Sequence, residues 1–278
     1  MISVRLQGGL GNQMFQYAAG RALAEARDVA LLLDLSWFNQ DFDEKTSPRH
    51  YELSCFRLDE DVLKKPKSII QKAQLRIATK YCEPHFHYDP SFSKLPSNTV
   101  LEGYFQSEQY FKHIRSRLVE DFSWARLPDG RNVRLLDEIS ANKSAISLHV
   151  RRGDYVSNKN YAKFHGVTGL DYYLSAVKYV GERVAKPTFY IFSDEPRWCK
   201  NNLKLKHKTI YVSHNKDGSE DMRLMKACSH NIIANSSFSW WAAWLNENPD
   251  KIVVAPGRWF SHPGSNTQDL IPSVWHKL

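Results

Sequence analysis

Apolar residues fall into short continuous runs separated by stretches with helical spacing. The first run, Ile2 to Leu6, leads through Gly8, Gly9 and Gly11 into a helical pattern reaching about Arg27, in which Met14, Tyr17, Ala18 and Leu23 keep roughly a 3.6-residue period. Asn12 stands where it can cap that helix. Val29 to Leu33 is again apolar and ends in Asp34, so the opening reads as a βαβ unit. From Asn39 to about Pro96 the pattern weakens, leaving one predicted helix, Ser68 to Lys80, among loops. A strand from Val100 to Phe105 and a helix from Glu108 to Asp121 follow, and Leu127-Pro128-Asp129-Gly130 marks a turn near a domain boundary.

The second half alternates more regularly. Strands are predicted at Ala145 to Val150, Thr188 to Phe192, Thr209 to Val212, Asn231 to Ala234 and Lys251 to Val254, with helical stretches between them. Five strands linked in this way predict a parallel, doubly wound sheet. Ligands of such sheets bind beyond the carboxyl ends of the strands, so the residues just after each apolar run are where chemistry is sought.

At 278 residues the chain has room for two domains. Hydrophobic residues at 42% and charged residues at 24% match ordinary globular usage, which excludes global disorder. Lys and Arg number 38 against 30 Asp and Glu, a formal charge of +8, and the sequence pI is about 9.2. That excess favours phosphate-bearing partners or an anionic membrane face. Lys and Arg form no single basic stripe, which argues against nucleic acid. Cys55, Cys82, Cys199 and Cys228 form no C-x-x-C pair or zinc-like cluster and read as reduced thiols. No basic leader opens the chain and no run reaches the ~18 apolar residues of a membrane span, so a cytoplasmic protein, peripheral at the inner membrane at most, is expected.

Four places carry candidate chemistry. The turn Gly8 to Gln13 lets backbone N–H groups approach an anion, and with Asp34 it matches part of a dinucleotide fingerprint, although Met14 fills the place of the third glycine. His149-Val150-Arg151-Arg152-Gly153-Asp154-Tyr155 closes a buried strand. Arg151 reads there as an unpaired guanidinium suited to phosphate, and Arg152 with Asp154 as a structural ion pair. Asn235 to Leu245 runs from a strand end into a helix. Ser236 and Ser237 are either N-caps or anion donors, and Trp240, Trp241 and Trp244 are packing residues. Asp221, in the first turn of another helix, is either a dipole partner or an acceptor for guanine N–H groups. The acid pairs Asp41-x-Asp43 and Asp59-x-Asp61 read as solvated loop charges.

Five ordered motifs, GGLGNQMFQYA, GYFQSEQYF, HVRRGDY, FSDEPRWC and the run from Glu220 to Leu245, make the chain resemble the family-eleven fucosyltransferases, the α-1,2-fucosyltransferases that use GDP-L-fucose. The resemblance implies an α/β fold of GT-B type, two Rossmann-like domains with parallel doubly wound sheets facing a cleft. Residues 1–140 would form an acceptor domain and 141–278 a GDP-fucose-binding domain. It implies inverting transfer of fucose to the 2-hydroxyl of a β-galactosyl glycan, free or lipid-linked, in bacterial surface polysaccharide (O-antigen) synthesis, with no cofactor and no metal. By motif, Arg151 would hold the diphosphate, His149 and Asp221 would contact guanine, Ser236, Ser237 and Phe238 would line the phosphate or fucose, and Asn12 would reach the donor from the other domain.

Chemically, cleaving the fucose–phosphate bond builds negative charge on GDP and oxocarbenium character on the sugar, so Arg151 and the helix start at Ser236 are suited to the transition state. Asp154 is the candidate general base. Two other classes compete: a non-catalytic module that binds guanine nucleotide or carbohydrate, and an NAD-dependent oxidoreductase using the first glycine turn.

Overall fold

The computed structural model describes all residues except 41–47, 60–61, 67, 154–165, 262–263 and 265. The chain divides into two compact units: Met1–Leu127 with Ser265–Pro272, and Pro128–Gly264 with Ser273–Leu278. The division coincides with the Leu127-Pro128 turn and lies ahead of residue 140. The helix between the two points, Gly130–Ala141, starts on an Asp129 N-cap and belongs to the second unit.

In the first unit, β1 (Ile2–Arg5), β2 (Leu31–Asp34), β3 (Thr79–Cys82) and β4 (Thr99–Glu102) form a parallel sheet in the order β2-β1-β4-β3. Helix α1 (Leu10–Ala26) connects β1 to β2 and is buried along nearly its whole length. Its small residues allow that: a Cβ on Gly20 would sit 3.0 Å from both Leu31 and Val4. Its N-cap is Gly9, not Asn12, because the chain turns at Gly8, whose φ of +76° suits a residue without a Cβ.

The weakly patterned stretch holds a helix shorter than expected, α2 (Ile69–Arg76), and then the edge strand β3, which the sequence pattern misses. Strand β3 is mostly exposed, so it lacks the apolar run that marks a buried strand. The expected helix over 108–121 is two 3₁₀ turns, Glu108–Tyr110 and Lys112–Ile114, followed by α3 (Arg115–Asp121). Asp59 is no solvated loop charge. It pairs with Arg21 at 3.1 Å and with Arg117, beside Asp121, whose carboxylate accepts from the Tyr17 hydroxyl at 2.8 Å. Asp41, Asp43 and Asp61 lie outside the described residues.

Among the described residues the second unit carries six parallel strands rather than five: β5 (Ala145–Val150), β6 (Thr188–Ser193), β7 (Lys208–Val212), β8 (His230–Ile232), β9 (Val253–Ala255) and β10 (His276–Lys277), in the order β10-β9-β8-β5-β6-β7. This is the doubly wound dinucleotide-fold order, in which the winding reverses between β5 and β8. The helices among the described residues are α4 (Gly130–Ala141), α5 (Leu170–Gly181), α6 (Pro196–Asn202), α7 (Gly218–Ala227) and α8 (Ser237–Leu245). Strand β5 is buried at every position, which is why it is mostly apolar up to His149, with Ser147 accepting from the Asn231 amide at 2.7 Å. Ile146, Leu148 and Val150 share a core with Tyr173, Val177 and Val180 of α5 and with Phe189 and Ile191 of β6. Trp240, Trp241 and Trp244 are buried and pack on one another, with Trp275 against Trp240, so they serve the core as expected. Among the described residues no helix is long and apolar enough to cross a membrane.

Candidate active site

The switch point between β5 and β8 gathers most of the residues singled out in the sequence. Arg151 follows β5 directly but is not unpaired. Parallel pairing sets Val150 opposite Ser193, which puts Asp194 beside it, and Arg151 Nη1 meets Asp194 Oδ2 at 3.0 Å. Asp194 Oδ1 also accepts from the Arg152 backbone N–H at 3.0 Å. Arg152 pairs with Glu195 at 3.3 Å and its guanidinium lies 3.9 Å over the Trp198 ring, while the expected Arg152–Asp154 pair falls on a residue outside the described ones. Gly153 leaves room for this carboxylate, since a Cβ would come within 2.7 Å of Asp194 Oδ2 and displace it. Asp154, the base candidate, lies outside the described residues.

A guanidinium has five N–H donors in a rigid plane, so a carboxylate on Nη1 orients the group as well as balancing its charge. FSDEPRWC was legible as a motif, but Asp194 and Glu195 were given no role. Two acids directly after an apolar strand, opposite two arginines directly after another, were the available signal.

Residue His149 is buried. Burial, with the Arg151 charge second, lowers its imidazole to about 3, so the ring is neutral. Its Nδ1 has no hydrogen-bond partner among the described residues. The ring lies 5.5 Å from that of Phe238, at an angle of 49°. Phe238 also approaches the start of α7: a Cβ on Gly218 would be 3.6 Å from its ring. Phe238 thus joins the end of β5 to the first turn of α7, where Asp221 lies.

Burial raises the Asp221 carboxyl to about 6; the Asn215 amide opposes the shift, and Asp217 and Glu220 add to it. Asn215 Nδ2 donates to Asp221 Oδ1 at 2.7 Å, and Asn132 Nδ2 donates to Asn215 Oδ1 at 2.8 Å. Asn132 Oδ1 in turn lies 2.8 Å from His214 Nε2. Asn132 and Asn215 were not singled out in the sequence. An isolated Asn on a mostly polar helix carries no periodic signal, and only the fold shows that Asn132 is buried.

The Ser236 residue occupies the N-cap position of α8 without making a side-chain cap, so the plain capping reading fails for it. Ser237 opens the helix. Asn235, just before, ties the loop by donating to the backbone carbonyls of Gly166 and Trp259 and accepting from Thr168 at 2.8 Å.

In the first unit Asn12 lies in the first turn of α1, where its Oδ1 accepts from Gln106 Nε2 at 2.9 Å. Gln13 donates to the carbonyls of Gly8 and His50, and Gln16 accepts from Gln7 N–H and donates to the Gly103 carbonyl. Two fully buried glutamines in an apolar helix therefore stitch the glycine turn to the ends of the strands. Glu83 accepts from the backbone N–H groups of Tyr104 and Phe105 and holds Phe105 at a φ of +53°, just ahead of Gln106. Asp34, the acid that a ribose would require, instead pairs with Arg5 and accepts from the Ser36 N–H.

Two parallel sheets, one of them wound in dinucleotide-fold order, give the chain a fold of GT-B class. The match to the family model described as glycosyl transferase family 11 spans residues 1–277, and the chain belongs to that family. It is 33% identical over 306 residues to the O-antigen biosynthesis glycosyltransferase WbnK of Escherichia coli, covering 98% of this chain and 99% of that protein. It is 32% identical over 292 residues to an alpha-1,2-colitosyltransferase of Escherichia coli, covering 100% and 99%. The crystal structure of the fucosyltransferase NodZ from Bradyrhizobium shares the fold, with a TM-score of 0.50 at 15% identity over 87% of this chain and 92% of that one.

Proposed function

We propose that the protein transfers L-fucose from GDP-L-fucose, with inversion, to the 2-hydroxyl of a galactose-terminated glycan of a bacterial surface polysaccharide. The observation that carries this reading is the Arg151–Asp194 pair at the β5–β8 switch point, next to a neutral His149, the Phe238 ring and the Asp221 carboxyl. Arg151 supports the diphosphate as negative charge grows on the leaving GDP, and α8 adds the positive end of its dipole near Ser236. Guanine lies against Phe238, with Asp221 accepting from its ring and amino N–H groups. Asn12 also contacts the donor. In this reading the charge is met by protein groups, and transfer proceeds in EDTA. The 32% identity to an alpha-1,2-colitosyltransferase supports the linkage.

For the acceptor, the first unit offers a pocket of about 400 Å³ whose lining includes Arg5, Gln7, Phe86, Glu102 and Tyr104, at the carboxyl ends of its strands. Rings beside hydrogen-bonding side chains, with the carboxylates of Glu83 and Glu102 placed to accept from hydroxyls, suit a neutral sugar. Phe86→Ala is expected to raise the KM for the galactoside at least ~10-fold while leaving the KM for GDP-fucose unchanged. An unchanged acceptor KM removes this pocket from the reaction.

Calorimetric titration with GDP and then NAD in EDTA tests the nucleotide, and transfer to β-galactosides followed by product NMR tests linkage and anomeric outcome. Clear NAD binding without GDP binding overturns the reading. The relationship to a colitosyltransferase favours one second reading, GDP-colitose as donor. Colitose is fucose without its 3-hydroxyl, so the ratio of kcat/KM for the two donors decides between them.

A further inference from the structure

Helix α2 is held to the first unit by one side. Leu75 packs on the cluster of Met1, Leu32 and Leu63, Asn98 Nδ2 donates to the Gln74 carbonyl at 3.0 Å, and Ser68 caps the first turn by accepting from the Gln71 N–H. The opposite side is open. Ile69 is 84% exposed, Ile70 71% and Ile77, just past the last turn, 81%. At about 100° per residue, Ile69, Ala73, Ile77 and Ile70 fall on one arc of roughly 100°, with Lys72 and Arg76 along its border. Lys64, Lys65 and Lys80 are exposed nearby in the chain, and Ser68 to Lys80 contains no acidic residue.

Scattered exposed apolar residues need no explanation, but three isoleucines on one arc, with two cations along one side and Gln74 on the other, do. A protein partner for such a face would have to supply both an apolar surface and a row of acids. An anionic bilayer supplies both at once: acyl chains for the isoleucines and headgroup charge for the lysines and arginine.

We propose that the outer face of α2 docks the protein on an anionic lipid surface, with Ile69, Ile70 and Ile77 inserted at the headgroup boundary and Lys72 and Arg76 against the phosphates. This assignment is independent of the donor and of the acceptor pocket.

Flotation of the whole protein with vesicles of phosphatidylcholine containing about 30% phosphatidylglycerol, at low salt, tests it. The wild type is expected to float with these vesicles and not with phosphatidylcholine alone, and to be released by high salt. The partition coefficient is expected to fall at least ~10-fold in Ile69→Ser/Ile70→Ser/Ile77→Ser and, separately, in Lys72→Glu/Arg76→Glu, which keeps the isoleucines. Lys178→Glu, an exposed position on α5, changes charge away from the face and is expected to float like the wild type. GDP affinity is expected to be the same in all of them, so a failure of the nucleotide reading is distinguishable from a failure here. The proposal is overturned if the folded wild type does not float. It is equally overturned if flotation survives both sets of substitutions, or if the wild type is a dimer that the triple serine variant converts to monomer.

Discussion

At the residue scale, Arg151 owes its orientation to a carboxylate from the neighbouring strand, which is a condition on Gly153 as much as on Asp194. Arg151→Ala is expected to lower kcat/KM at least ~100-fold, the usual scale for one electrostatic donor to a transition state, in a protein of unchanged melting temperature. Gly153→Ala is expected to act in the same direction by displacing Asp194; turnover like the wild type in either folded variant removes the phosphate role.

The Asp221 side chain makes a pH-dependent prediction. Its carboxyl titrates at about 6, above its ordinary 3.8, so its contribution to stability is present below 3.8 and is lost as pH rises through 6. Asp221→Asn is then expected to leave stability at pH 7.5 equal or higher, because Asn keeps an acceptor for the Asn215 amide. The proposed guanine contact, by contrast, requires the ionised acid. GDP affinity in the wild type is expected to fall as pH drops through about 6, and the inflection to vanish in the Asn variant. Titrations across that range check both.

At the element scale, legibility followed burial. Strand β5 is legible to its ends because every position is buried and four of its six residues are apolar, whereas β3, on an edge and mostly exposed, leaves no pattern. Residues 108–121 have an amphipathic look that 3₁₀ turns and a short helix share, so the stretch was read as one helix. The site was legible where it lies on a single run, at His149 to Arg152. It was not where partners come from another strand, as with Asp194, or from a distant helix, as with Asn132.

Two elements carry stability predictions. Gly20→Ala pushes a methyl against Leu31 and Val4 and is expected to destabilise the first unit by about 1 to 3 kcal/mol, read from denaturant midpoints. Lys251 Nζ donates to the carbonyls of Ala243 and Asn246 at the end of α8, at 2.7 and 2.6 Å. Lys251→Ala is expected to cost about 1 to 2 kcal/mol, measured in the same way.

At the scale of the whole molecule, the last residues of the chain are shared out. Residues 265–272 belong to the first unit, where Asp269 accepts from the Tyr88 N–H at 3.0 Å. Residues 273–278 return to the second, where β10 extends the sheet, Trp275 packs on Trp240, and the Leu278 carbonyl accepts from the Gly257 N–H. Removing residues 273–278 is expected to lower the unfolding free energy by at least about 3 kcal/mol, the scale of losing one buried tryptophan, and calorimetric melting checks it.

The same threading limits how this enzyme can be recombined. A single exchange at Leu127/Pro128 with a relative would pair one parent's residues 1–127 with the other parent's 265–272 strap. Natural or laboratory shuffling of specificity in this family is thus expected to succeed by double exchanges that move both segments together, and single-crossover hybrids should be recovered mainly between parents already matched at Asp269 and Tyr88.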